Sequence, residues 1–156
     1  LENFILPVDF SNKKKDSIKL NIETAKKAKK QLMNKGVLII FPSGSVSIAK
    51  DLKSEATDDT WKTFPAKLIQ QTKTNVLPIY FDGKNGMLFH LFASKLNNQT
   101  LKYSSYIHET RKKIGKSIDI YSGNMMEYKE LSNIKDRNEL TEFLKNKTYG
   151  LKNNNY

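Results

Sequence analysis

Five consecutive apolar residues, Val37-Leu38-Ile39-Ile40-Phe41, follow Gly36 directly and run into Pro42-Ser43-Gly44-Ser45. A short β-branched and aromatic run bounded by turn formers reads as a strand buried on both faces, the mark of a parallel sheet. Pro42 has no N–H to give to a ladder, so the strand ends there. The Ser-Gly-Ser that follows offers two hydroxyls and a backbone position without Cβ that a ligand can approach closely. Ligands of open α/β sheets bind beyond the carboxyl ends of the strands, which makes this loop a candidate site. An ordinary strand-to-loop turn is the competing reading. Two familiar glycine patterns do not fit. Gly44 lacks the partner glycine and lysine of a phosphate-binding loop, and no second glycine completes a Gly-x-Ser-x-Gly elbow.

The remaining chain supplies elements that such a strand needs around it. Residues 4–10 are strand-like, with Pro7 marking an edge or an end. Asp16 or Ser17 caps a helix whose apolar positions are Ile18, Ile22, Ala25, Ala28, Leu32 and Met33. Lysines occupy its other face, and Gly36 is placed to end it. A strand–helix–strand unit of this kind is expected to be a right-handed crossover between parallel strands. Residues 48–60 read as a polar loop, with Asp58 or Asp59 capping a second helix that carries Trp61, Phe64, Leu68 and Ile69. Pro65 is tolerable there only in the first turn. Residues 75–81 form another buried strand, closed by the turn Asp82-Gly83-Lys84-Asn85-Gly86. Residues 87–93 and 103–113 read as helices, 117–121 as a last strand, and 136–146 as a terminal helix with Leu140, Phe143 and Leu144 inward. This alternation predicts one doubly wound α/β domain over residues 1–151, with 152–156 a disordered tail.

A chain of 156 residues is long enough to bury a core. Its net charge of +11 comes almost wholly from lysine, with arginine only at Arg111 and Arg137. Lysine is a point charge rather than a bidentate fork, so the surplus favours polyanions over sequence reading. With no cysteine there is no disulfide framework, thiol catalysis or zinc–thiolate site. No apolar run approaches the roughly 20 residues that span a bilayer. The first residue is Leu1, which reads as a chain that does not start at its natural N-terminus.

Catalytic groups are sparse. His90 sits in an apolar run and His108 in a polar helix, and neither begins a metal-binding or His-x-x-x-x-Asp pattern. Asp58-Asp59 reads as a helix cap rather than an acid/base pair. Lys26-Lys27 and Lys29-Lys30 read as a solvated helix face. Aromatic residues do not interleave with the lysines as a single-strand binding groove requires. The residues themselves define a site without a catalyst.

Phe41-Pro42-Ser43-Gly44-Ser45 followed by Val76-Leu77-Pro78-Ile79 resembles two blocks of the glycerophospholipid acyltransferase family, Phe-Pro-Glu-Gly-Thr and Val-x-Pro. The closer resemblance is to its hemolysin-like bacterial branch, with Phe-Pro-small-Gly-x-Val-Ser. That branch's Phe-x-Gly-Arg-Asn turn reads Phe81-Asp82-Gly83-Lys84-Asn85 here, and its Glu-x-x-x-x-x-Gly-Lys helix end runs from Glu109 to Gly115-Lys116. The likeness extends over nearly the whole chain in the right order. Ser43 stands where the family has glutamate, and Ser45 where the branch often has a carboxylate.

The resemblance implies a mixed, mostly parallel sheet flanked by helices. It implies transfer of a fatty acyl group from a thioester donor, acyl-CoA or acyl-carrier-protein, to the hydroxyl of a lysophospholipid-like or amino-lipid acceptor. The family's catalysts are the His and Asp of an Asn-His-x-x-x-x-Asp block, the His acting as general base. That block is absent from this sequence, so the chain resembles the C-terminal, substrate-binding part of such an enzyme, with no catalytic residue of its own and no cofactor. Phe41, Pro42, Ser43, Gly44, Ser45, Gly83, Lys84 and Asn85 are the implied substrate-binding residues, with Lys84 facing the acceptor's anionic head group. The lysine-rich surface would hold the protein on anionic lipid, peripherally on the cytoplasmic face of the cell membrane. The alternative is a non-catalytic basic module for nucleic acid.

Overall fold

The computed structural model describes residues 5–9, 16–47, 56–83 and 99–152, with side chains from residue 104 onward in the last stretch. In order, the elements are α1 (Asp16–Met33), α2 (Phe64–Thr72), β1 (Ile79–Asp82), α3 (Gln99–Lys113), β2 (Asp119–Ser122), α4 (Tyr128–Leu131) and α5 (Arg137–Gly150). The helix expected at 87–93 lies outside the described residues.

Helix α1 ends in a Schellman arrangement. Lys35 takes the left-handed conformation (φ 59°), its N–H meets Leu32 O at 3.1 Å, and Gly36 N–H meets Gln31 O at 2.9 Å. The glycine is therefore one place beyond the left-handed residue. It is required by proximity, since a Cβ there would stand 2.9 Å from the Gln31 carbonyl oxygen. The inward face of α1 differs from the apolar one expected. Ser17, Thr24 and Ala28 are buried, whereas Ile18, Ile22 and Met33 are exposed. The reason is a polar seam to residues 5–9. Thr24 Oγ1 donates to Pro7 O at 2.6 Å, Ser17 Oγ to Asp9 Oδ2 at 2.7 Å, and Asn21 exchanges two hydrogen bonds with the Asp9 backbone. Among the described residues, 5–9 pair with no strand.

Helix α2 starts later than the sequence suggests. Its N-cap is Thr63, which makes no side-chain cap, and Pro65 lies in the first turn, where its missing N–H has no partner to lose. Lys73 (φ 54°) closes the helix by donating its N–H to Ile69 O at 2.9 Å. Helix α5 is capped as its sequence dictates: Asp136 Oδ1 accepts from the N–H groups of Asn138 and Glu139, both at 2.9 Å.

The core is gathered from two stretches of the chain, residues 61–69 and 126–144. Trp61, Ala66, Ile69, Met126, Leu131, Leu140 and Leu144 form one buried cluster, with Val76, Tyr128, Ile134, Phe143 and Tyr149 packed against it. Fully burying each leucine contributes on the order of 2 kcal/mol. Helix α2 thus packs on α1 and α5, and α5 also packs on β1.

Strands β1 and β2 pair antiparallel, Ile79 opposite Ser122 and Phe81 opposite Ile120. Gly123 N–H meets Pro78 O at 3.0 Å, and Val76 pairs with Met126 through bonds of 2.9 and 2.8 Å. Pro78 only accepts, which suits a residue with no N–H. One sheet face, with Tyr80 and Tyr121, turns toward α5. The other carries Ile79, Phe81 and Ile120 exposed.

Residues 37–41 join no ladder among the described residues, contrary to the buried strand expected. The chain there alternates, with Val37, Ile39 and Phe41 at 83%, 75% and 71% exposure and Leu38 and Ile40 half-buried. An apolar run specifies an extended segment with two apolar faces but does not say what lies against either. In this structure the described residues cover only one.

Candidate functional site

The 42–47 loop is folded on itself. Gly44 N–H donates to Phe41 O at 3.1 Å, and Gly44 has φ 68°, a left-handed conformation that a side chain disfavours. Ser43 is buried, and its hydroxyl is engaged inside the loop. It donates to Ser45 O at 2.9 Å and lies 3.4 Å from the Ser45 N–H. Such a serine shapes a turn. Ser45 is exposed, so its side chain is the hydroxyl the loop presents to solvent.

Apolar surface adjoins it. The exposed Phe41 ring stands 6.3 Å from the Phe81 ring, the two planes tilted by 40°. This contact brings the beginning of the loop beside the end of β1, two residues before Gly83. Gly83 itself is exposed, with open space where a Cβ would stand. Lys84 and Asn85 lie outside the described residues. Of the implied site residues, then, Phe41 through Ser45 form one unit, and the aromatic pair draws it toward the Gly83 end of β1.

The loop is held by residues that the sequence reading did not assign to the site. Lys62 N–H donates to Pro42 O at 3.0 Å. Ser47 Oγ donates to Asp58 Oδ1, and Trp61 Nε1 donates to Asp58 Oδ2 at 2.8 Å. The Asp58 N–H donates in turn to the Tyr149 hydroxyl at 2.8 Å, and Tyr149 packs edge-on against Tyr80 with ring centroids 5.7 Å apart. Burial pushes the Tyr149 phenol above its ordinary pKa of 10.0. The hydrogen bond from the Asp58 backbone works against that shift, and the Asp58 carboxylate adds to it. The sequence offers Asp58 or Asp59 as the cap of α2, but the N-cap is Thr63. The helix begins six residues beyond Asp58, so the Asp58 carboxylate is left for Ser47 and Trp61. The local signal was an Asp three places ahead of the chain's only tryptophan.

His108 is exposed on α3, and His90 lies outside the described residues. On the same helix Ser105 and Glu109 are buried, and Lys112 Nζ lies 3.6 Å from Glu109 Oε1. Among the described residues no group of three or more His, Asp or Glu is placed to hold a metal ion, and no helix is long and apolar enough to cross a membrane.

Chemically, the loop offers an exposed serine and a tightly turned backbone, and its first residue, Phe41, pairs with a second exposed aromatic ring, Phe81. No curated protein and no solved structure matches the chain. A family model described as acyltransferase matches residues 4–155, which is nearly its whole length. The chain therefore belongs to that acyltransferase family.

Proposed function

We propose that this acyltransferase-family chain supplies the substrate-binding part of an enzyme of the hemolysin-like, lysophospholipid-acylating kind. The acyl group moves from a thioester of coenzyme A or of acyl carrier protein to the hydroxyl of a lysophospholipid-like or amino-lipid acceptor. The acceptor's polar end meets Ser45 and the turn backbone, and its apolar part lies along Phe41 and Phe81. Lys84, next to Gly83 in sequence, offers a cation to the anionic head group. Residues 37–41 and β1 belong, on this reading, to a mixed, mostly parallel sheet flanked by helices. The protein works peripherally on the anionic inner face of the cell membrane.

The observation that carries this reading is the Phe41–Phe81 contact at the start of the loop that exposes Ser45, within a chain matched to an acyltransferase family along its length. An amphiphile needs both surfaces at once. Calorimetric titration of the chain with lysophosphatidate below its micelle threshold, and with glycerol 3-phosphate, tests it. Saturable binding of lysophosphatidate, far tighter than of the head group alone, is the expected result. Equal affinity for both, or no saturable binding of either, refutes the assignment.

A further inference from the structure

We propose that Asp58 is the positioning residue of the acceptor loop, fixing Ser43, Gly44 and Ser45 in their binding geometry through Ser47. The inference rests on the loop being the acceptor site, and it adds a residue that neither the loop's motif nor the family resemblance contains.

Four bonds converge on this arrangement. The Asp58 carboxylate uses both oxygens, one for the Ser47 hydroxyl at the far end of the loop and one for the indole N–H of Trp61. Its backbone N–H is tied to Tyr149 on α5. The near end of the loop is held separately, by the Pro42 carbonyl on Lys62 N–H. Loop and core therefore meet at two points four residues apart on the 58–62 segment, and only one of them involves a charged side chain.

The physical consequence follows from the strengths of these contacts. A hydrogen bond to a carboxylate is roughly twice as strong as one between neutral groups. Trp61 is buried in the core cluster, and Tyr149 packs against that cluster. Asp58 is thus fixed by two anchored aromatic side chains and passes that rigidity outward to Ser47. A binding loop with locked supports loses less conformational entropy when it takes a ligand. Without the Ser47–Asp58 bond, the loop keeps its internal turn but is fastened at one end only.

The test uses the whole chain as wild type, Asp58→Asn, Ser47→Ala, Ser47→Thr and the Asp58→Asn/Ser47→Ala double variant. Amide hydrogen exchange of residues 43–47 is compared with that of α5, and the dissociation constant for lysophosphatidate is measured where circular dichroism shows each protein fully folded. Asp58→Asn and Ser47→Ala should each speed exchange in the loop while α5 stays protected. Each should weaken binding about tenfold, the scale of one lost hydrogen bond to a charged group. The double variant should bind no more weakly than the weaker-binding of the two single variants, because both changes act on one connection. Ser47→Thr, which keeps the hydroxyl, should behave as wild type.

Unchanged loop exchange in Asp58→Asn overturns the proposal. So does a loosened loop with an unchanged dissociation constant, the outcome for a purely structural residue. If Asp58→Asn does not fold, the two Ser47 variants decide, and equal behaviour of Ala and Thr overturns it. Phe41→Asp and Ser45→Leu separate this role from the site assignment. If both weaken binding while the Ser47 and Asp58 variants do not, only the positioning role falls. If neither weakens binding, or wild type does not bind, the acceptor site itself is misplaced and the inference falls with it.

Discussion

The hydroxyl of Tyr149 accepts the backbone N–H of Asp58 at 2.8 Å, joining residues 91 positions apart. Through this one bond the C-terminal helix reaches the segment that supports the 42–47 loop. Its effect on ionisation is directional. Burial favours the neutral phenol, so the pKa of Tyr149 is higher folded than unfolded. The associated stability is fully present below pH 10.0, the ordinary value, and is lost as the pH rises through the raised one. In an ultraviolet phenolate titration of the chain's seven tyrosines, the wild-type minus Tyr149→Phe difference curve should lie above pH 10.0. The alkaline fall in stability should also be shallower in the variant. A difference curve centred at or below the ordinary value contradicts this account.

Leu140 is completely buried at the centre of the cluster that contains Trp61 and Leu131. Leu140→Ala should lower unfolding free energy by about 2–5 kcal/mol, the range for cavity-creating substitutions in packed cores. Chemical denaturation with an unchanged slope would report it cleanly. A loss below about 1 kcal/mol, the scale of an ordinary surface or conservative change, would mean that this core is loosely packed.

Asp136 caps α5 by accepting two hydrogen bonds on a single carboxylate oxygen. Its removal in Asp136→Ala should cost about 1 kcal/mol, whereas Asp136→Asn or Asp136→Ser should restore most of the loss, because each supplies an oxygen acceptor. Thermal melts of the three variants make the comparison. If Ala and Asn prove equally destabilised, the side chain is not acting as a cap.

Much of the helical framework was legible because it is local. The terminal helix and its buried Leu140 and Leu144 follow from spacing alone, and so does Pro65 in the first turn of α2. Local reading failed where a polar partner outcompeted apolar pattern. Ser17, Asn21 and Thr24 bind residues 7–9, which turns Ile18 and Ile22 of α1 outward. The candidate loop was visible as Pro-Ser-Gly-Ser, but its two serines proved unlike. Ser43 is engaged inside the loop and Ser45 faces solvent. The support from Asp58 was out of reach for a different reason. One of its partners is three residues away and another 91, and no periodicity encodes the second.

A net charge of +11 predicts salt-sensitive adsorption to anionic bilayers. Each basic residue near such a surface contributes about 1 kcal/mol. Raising the ionic strength to about 1 M shortens the screening length to about 3 Å and should release the protein. Co-sedimentation with phosphatidylserine-containing and purely phosphatidylcholine vesicles measures this. Equal binding to both compositions, or binding indifferent to salt, would contradict a peripheral electrostatic attachment.

The central claim is that a lipid acceptor lies against Phe41, Ser45 and the Gly83 end of β1. A photoreactive lysophospholipid bearing its label near the head group, cross-linked to the purified chain and mapped by peptide mass spectrometry, tests that placement directly. The account predicts adducts within residues 41–47 and 81–85, suppressed by excess unlabelled lysophosphatidate and by Ser45→Leu. Saturable, competable adducts confined to the exposed stripe of α1 or to α5, with none on the loop, would contradict it.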